Sequence, residues 1–151
     1  MEATGKGAAV PFGVLIVAHG DLAEVLSRVV EKILGTPFEV ETVSVGWEDD
    51  VEASRKRVEE ALHRANRGRG VLILTDMFGG TPTNVAVPFL REKDVEIVTG
   101  MNLPMLVKVP NVRVAQGTLR EAADRLRDVG QSAIQLATHY LEKPGGGRTA
   151  P

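Results

Sequence analysis

The chain has no cysteine. Disulfides, thiolate nucleophiles and cysteine-ligated zinc sites are therefore excluded, and a reducing compartment is permitted. An excess of positive charge is also missing. Eighteen Lys and Arg stand against 20 Asp and Glu, for a formal net charge of -2. A general nucleic-acid binder carries a strongly basic face, so no nucleic-acid partner is expected. No apolar run approaches the roughly 18 residues of a membrane span, and no direct membrane insertion is expected. Met1 to Pro11 has one Lys and no long apolar stretch, and does not read as a secretory signal. Internal repeats and interdomain linkers are absent too. What is there is 151 residues, 43% of them apolar. That is enough to bury an ordinary core in one domain without metal or disulfide staples. The expectation is a single cytoplasmic domain over residues 12–141. Flexible tails are expected at 1–11 and 142–151, which show no period and are rich in small residues such as Gly145-Gly146-Gly147.

Two patterns alternate between those tails. Short apolar runs occupy 13–18, 39–45, 71–75 and 95–99, mostly rich in β-branched residues as buried strands are. Between them lie helical stripes. Leu22, Val25, Leu26, Val29, Val30, Ile33 and Leu34 repeat at three and four, and Gly35 and Pro37 stop the helix. Val51, Val58, Ala61, Leu62 and Ala65 form a second stripe. It is preceded by Glu48-Asp49-Asp50 and closes on Arg64, Arg67 and Arg69, which suits the helix dipole. Thr81-Pro82 predicts a cap and first turn for a third helix to about Arg91. Leu119 through Leu141 predicts one long last helix. Strands alternating with helices imply parallel strands joined by right-handed crossovers. The fold class expected is α/β: an open, doubly wound, mainly parallel sheet in the order 2-1-3-4. Helices cover both faces, making a flavodoxin-like three-layer sandwich.

In such sheets ligands sit beyond the carboxyl ends of the strands, where the winding reverses. For the order 2-1-3-4 that is between strands one and three. The loop after strand one carries His19-Gly20-Asp21, and the loop after strand three runs from Asp76 to Asn84. A histidine at a strand end can simply bond a backbone carbonyl. A carboxylate at the end of the neighbouring strand changes that. Asp76 could accept the proton of one ring nitrogen of His19, fix the tautomer, and leave the other nitrogen as a base or nucleophile. Gly79 and Gly80 offer unobstructed backbone amides, and Thr81 offers a hydroxyl. By itself Gly-Gly-Thr-Pro is an ordinary tight turn. Beside a histidine nucleophile, at a helix N-terminus, it becomes a phosphoryl cradle. No dinucleotide fingerprint or Walker loop occurs. Met77, Phe78, Leu103, Pro104 and Met105 would form an apolar rim near His19 if their loops are exposed, suited to docking a partner.

Three segments carry a resemblance. They are Val17-Ala18-His19-Gly20, then Thr75-Asp76-Met77-Phe78-Gly79-Gly80-Thr81-Pro82 with Asn84, then Thr99-Gly100-Met101-Asn102-Leu103-Pro104-Met105-Leu106. Together they resemble the mannose-type enzyme IIA family of the bacterial sugar phosphotransferase system, over roughly residues 12 to 140. The resemblance implies a phosphotransferase component that works by a phosphohistidine relay. His19 would take a phosphoryl group from the phosphocarrier HPr and pass it to an enzyme IIB. It implies that Asp76 orients His19 and that Thr81 contacts the phosphoryl group. It also implies no cofactor, no metal, and a homodimer with exchanged C-terminal segments. The sugar is set by other components.

Other readings stay open. A phosphorylation-dependent regulator of the same family would use the same His19. A two-component receiver would phosphorylate Asp76, but it needs an acidic pair after strand one, where only Asp21 stands. The phosphotransfer subunit of dihydroxyacetone kinases shares the fold, yet the Phe78-to-Asn84 segment looks like the sugar-transport branch. Asp21, with Glu24 three residues on, reads as a capping box. His63 and His139 read as solvated. Trp47 with Glu48-Asp49-Asp50 reads as a loop anchor and helix start.

Overall fold

A computed structural model describes residues 10–142, so most of both expected tails lies outside the described residues. Four strands, β1 (Gly13–His19), β2 (Glu41–Val45), β3 (Val71–Thr75) and β4 (Val95–Thr99), form one wholly parallel sheet in the order β2-β1-β3-β4. Around it stand α1 (Leu22–Leu34), α2 (Val51–Ala65), α3 (Thr81–Ala86), α4 (Leu103–Arg113), α5 (Leu119–Ser132) and the short α6 (Thr138–Leu141).

Strand alternation divides the core in two. Val14, Ile16, Ala18, Leu72 and Leu74 point to one face, against Ala23 and Val30 of α1, Leu106 and Val109 of α4, and Leu126 of α5. Leu15, Val17 and Ile73 point to the other, against Val58, Ala61 and Leu62 of α2 and Val85 and Ala86 of α3. Leu15, Ile16, Leu72, Ile73 and Leu74 are fully buried. Each stabilises the fold by about 2 kcal/mol through the apolar area removed from water. Burial on both faces explains why β1 and β3 are continuous apolar runs rather than alternating ones.

The predicted strands and first two helices are present, with one shift. β2 begins at Glu41, not residue 39. The carbonyl of Glu39 instead accepts Nη1 of Arg113 at 2.7 Å. That buried guanidinium also donates to the Phe12 carbonyl, at 2.9 Å from Nη2, and so ties the end of α4 to the approaches of β1 and β2. α1 ends on Gly35, left-handed at φ 68°, the conformation that glycine adopts without strain. Asp21 makes no capping bond from its side chain. Its expected capping-box partner, Glu24, accepts from Ser44 Oγ at 2.5 Å instead.

Three further expectations, all about helices, are corrected. The third helix breaks into α3 and a 3₁₀ turn, Val87–Arg91. Pro88 has no N–H to continue an α-helical ladder, and its ring crowds the preceding turn. The last helix stops at Ser132, and residues 131–142 are all exposed. Gly130 is a poor helix former, and Ser132 Oγ turns back to the Val129 carbonyl at 3.2 Å. Finally, residues 103–105 open a helix that periodicity did not reveal. Asn102 caps α4 by accepting from Met105 N at 3.1 Å, and Pro104 stands in its first turn, where its missing N–H is harmless. Pro110 inside α4 masked the pattern.

Candidate functional site

The parallel register sets Val17 of β1 opposite Thr75 of β3. The last residue of β1 and the first after β3 therefore meet at the winding reversal. The backbone N–H of His19 donates to Asp76 Oδ2 at 2.9 Å, and ring Nδ1 lies 2.7 Å from the same oxygen. Met77 N donates to Asp76 Oδ1 at 2.9 Å. An ionised carboxylate can only accept, so in the neutral imidazole Nδ1 carries the proton and Nε2 keeps the free lone pair. The carboxylate is held by two backbone amides, and it in turn holds the ring. The side chains of His19 and Asp76 are 20% and 12% exposed, so the imidazole is accessible while its partner is largely covered.

The turn after β3 is fixed from below. The Thr83 hydroxyl gives its one proton to the Met77 carbonyl at 2.6 Å. Thr75 Oγ1, 2.7 Å from Thr83 Oγ1, is then the donor of that pair. This buried relay presents the turn at the mouth of the sheet. Gly79 is left-handed at φ 78°. Gly80 stands against the imidazole: a Cβ there would come to 2.8 Å from Cε1 and 3.4 Å from Nε2 of His19. Gly80, rather than Thr81, is the N-cap of α3. Thr81 opens the helix with its side chain exposed.

Of the expected rim, Met77 and Phe78 are on the surface, 52% and 83% exposed. Met105 is not. It is 2% exposed, packed into the core by the inward face of α4, and its place in the rim is withdrawn. Leu103 is half-buried against the same core, whereas Pro104 is exposed. His63 and His139 are exposed, as expected.

Trp47, read from sequence as a loop anchor, belongs to the site. Trp47 stacks on His19 with ring centroids 5.2 Å apart and planes at 21°. It follows β2, which neighbours β1 in the expected strand order, so its loop emerges at the same end of the sheet. That topological signal was available, but a lone tryptophan beside an acidic run reads more simply as an anchor.

The family described as PTS system fructose IIA component (EIIA-man) matches residues 13–127. The PTS system fructose-specific EIIA component of Bacillus subtilis is 29% identical over 131 residues, 86% of this chain and 89% of that protein. The PTS system mannose-specific EIIAB component of Escherichia coli is 30% identical over 147 residues, 91% of this chain but only 44% of that longer protein. Among solved structures, the mannose/sorbose specific IIA subunit from Enterococcus faecalis superposes with a TM-score of 0.74 at 27% identity, covering 84% of this chain and 95% of its own. A PTS IIA protein associated with the fucose utilization operon of Streptococcus pneumoniae gives 0.73 at 25% identity, over 89% and 99%. The matched segment takes in every strand and the whole His19–Asp76 pair, and the chain belongs to the EIIA-man family of phosphotransferase-system components.

Proposed function

We propose that the chain carries a phosphoryl group on Nε2 of His19, accepted from HPr and passed to an enzyme IIB during sugar uptake, in the cytoplasm. The observation that carries this reading is the 2.7 Å contact between Nδ1 and Asp76. It commits one nitrogen to the carboxylate and leaves the other as the nucleophile. In the loading step the Nε2 lone pair attacks phosphorus in line, and the donor nitrogen departs with the electron pair of the broken N–P bond. The Nδ1 proton stays in place, held by Asp76. Unloading is the reverse: the acceptor's nucleophile attacks phosphorus and the N–P pair returns to Nε2.

Gly79, Gly80 and Thr81 are the proposed contacts to the phosphoryl oxygens. The transition state of phosphoryl transfer asks little of a protein beyond positioning and charge stabilisation. Met77 and Phe78 are the proposed docking anchors, with Pro104 further along the same end. Donor and acceptor must reach one nitrogen in turn, so they share one face. Among the described residues, no helix is long and apolar enough to cross a membrane.

The test is labelling with phosphoenolpyruvate, enzyme I and HPr, followed by site mapping. Acid-labile, base-stable label on His19 is expected, lost in His19→Ala. Base-labile label on Asp76 would overturn the reading.

A further inference from the structure

Trp47 is 84% exposed and yet has a defined place, with its ring over one face of the His19 imidazole. Nothing in its immediate sequence is apolar enough to hold it there. The loop that carries it is instead braced by hydrogen bonds. Gly46 N donates to Asp49 Oδ2 at 2.7 Å, and Arg57 Nη2 donates to the same oxygen at 2.5 Å. Arg57 Nη1 donates to the Ser44 carbonyl at 2.8 Å. Asp50 then caps α2 through Ala53 N at 2.9 Å. On the other side, Gly20 N donates to the Val45 carbonyl at 2.9 Å, which locks the end of β1 to the end of β2. A turn pinned at both ends holds the indole against the ring.

We infer that Trp47 is a positioning residue for phosphoryl transfer at His19. This rests on His19 being the phosphoryl acceptor. The ring is gripped at Nδ1 by Asp76, and its Cε1–Nε2 edge faces Gly80, where a side chain would collide with it. Trp47 covers one face, which restricts rotation about the Cβ–Cγ bond and directs the Nε2 lone pair outward. Its second effect is electronic. When Nε2 bonds phosphorus while Nδ1 keeps its proton, the imidazole becomes formally cationic. The π face of an indole attracts such a cation. The stack is therefore stronger in the loaded form, and in the transition state leading to it, than in the empty one. An interaction of that kind raises the rate of the chemical step rather than the affinity for the partner.

The experiment is single-turnover phosphorylation of the full chain by phospho-HPr over a range of donor concentrations. Trp47→Ala is expected to lower the limiting rate by about threefold to tenfold. The half-saturating donor concentration should stay unchanged. Trp47→Phe should restore most of the rate, and Arg57→Ala, which releases the brace, should lose part of it. Trp47 is the single tryptophan, so its emission reports the stack directly. It should change on phosphorylation of the wild type, and should differ between wild type and His19→Ala with no donor present. A rise in half-saturating concentration at an unchanged limiting rate would make Trp47 a docking anchor and overturn the inference. So would an unchanged rate in Trp47→Ala, or identical emission with and without the His19 ring. Failure to label His19 in the wild type overturns the carrier reading and this inference with it. Normal labelling with a rate indifferent to Trp47 overturns this inference alone.

Discussion

At the residue scale, the site is a single imidazole constrained from several directions, and each constraint has its own measurable consequence. Asp76 accepts from Nδ1 and from two backbone amides. Asn in its place keeps the size but presents a donor on one side. It can favour the tautomer with the proton on Nε2, which has no lone pair to offer. Asp76→Asn should slow His19 phosphorylation far more than it lowers the melting temperature. The rate loss of about 10⁴ for the equivalent change in a hydrolase triad is an upper bound. A wild-type rate would make Asp76 a purely structural residue. Gly80→Ala would drive a methyl to 2.8 Å from Cε1, and neither ring nor backbone can yield without disturbing the Asp76 bond. Loss of transfer with a nearly unchanged circular dichroism spectrum is expected, and full activity would show that the turn moves freely. Phe78, 83% exposed, acts on affinity instead. Truncating an interface anchor costs over about 2 kcal/mol at a hot spot. Phe78→Ala should raise the half-saturating concentration of both HPr and IIB while sparing the limiting rate. An effect on one partner only would break the shared-face argument.

At the element scale, the loop between β2 and α2 is tuned by Asp49. The hydrogen bond from Gly46 N, and then that from Arg57, hold its carboxyl below the ordinary value of 3.8. A carboxylate with a lowered folded-state pKa contributes stability that is fully present above the unfolded value and is lost as pH falls through the folded one. The brace should therefore survive to below pH 3.8. Carboxyl carbon NMR of Asp49 against pH measures this directly. A midpoint at or above 3.8 would show that the brace is not formed in solution. Arg57→Ala should move that midpoint upward. The other elements converging on the site need no such device, because β1 and β3 are pinned by burial on both faces.

At the scale of the whole molecule, residues 131–142 leave Ile134, Leu136, Tyr140 and Leu141 exposed, at 76%, 61%, 58% and 87%. Four large apolar side chains in one short stretch are more than an isolated domain leaves uncovered by chance. Tyr140 also lines an adjoining groove with Ile33 of α1, Leu103 and Val107 of α4, and Val129 of α5. The homodimer expected from the family resemblance would cover this surface with a second copy of the chain. Sedimentation velocity should show a dimer at micromolar concentration. Replacing Ile134, Leu136 and Leu141 by Ser should shift it to monomer while preserving His19 labelling. A monomeric wild type would contradict that expectation.

Sequence alone determined the four parallel strands and the helices between them, through apolar runs buried on two faces alternating with helical stripes. It also gathered His19 and Asp76 in the two loops that a winding reversal would bring together, but their 2.7 Å contact, made across 57 residues of sequence, belongs to the tertiary structure. Glycine marked the stop at Gly35, whereas the third helix is read straight through Pro88, where the structure tightens into a 3₁₀ turn. What periodicity could not decide was whatever depends on contacts distant in sequence. The opening of α4 was hidden because proline interrupts it and Met105 is buried by a neighbouring helix rather than by its own pattern. The late start of β2 depends on Arg113, 74 residues beyond Glu39, taking the carbonyl a longer strand would have used. Trp47 is the clearest case. No local rule places an exposed aromatic over a particular ring. That required the β2 loop, braced by Asp49 and Arg57, to rise beside the end of β1, and only tertiary structure brings those three segments together.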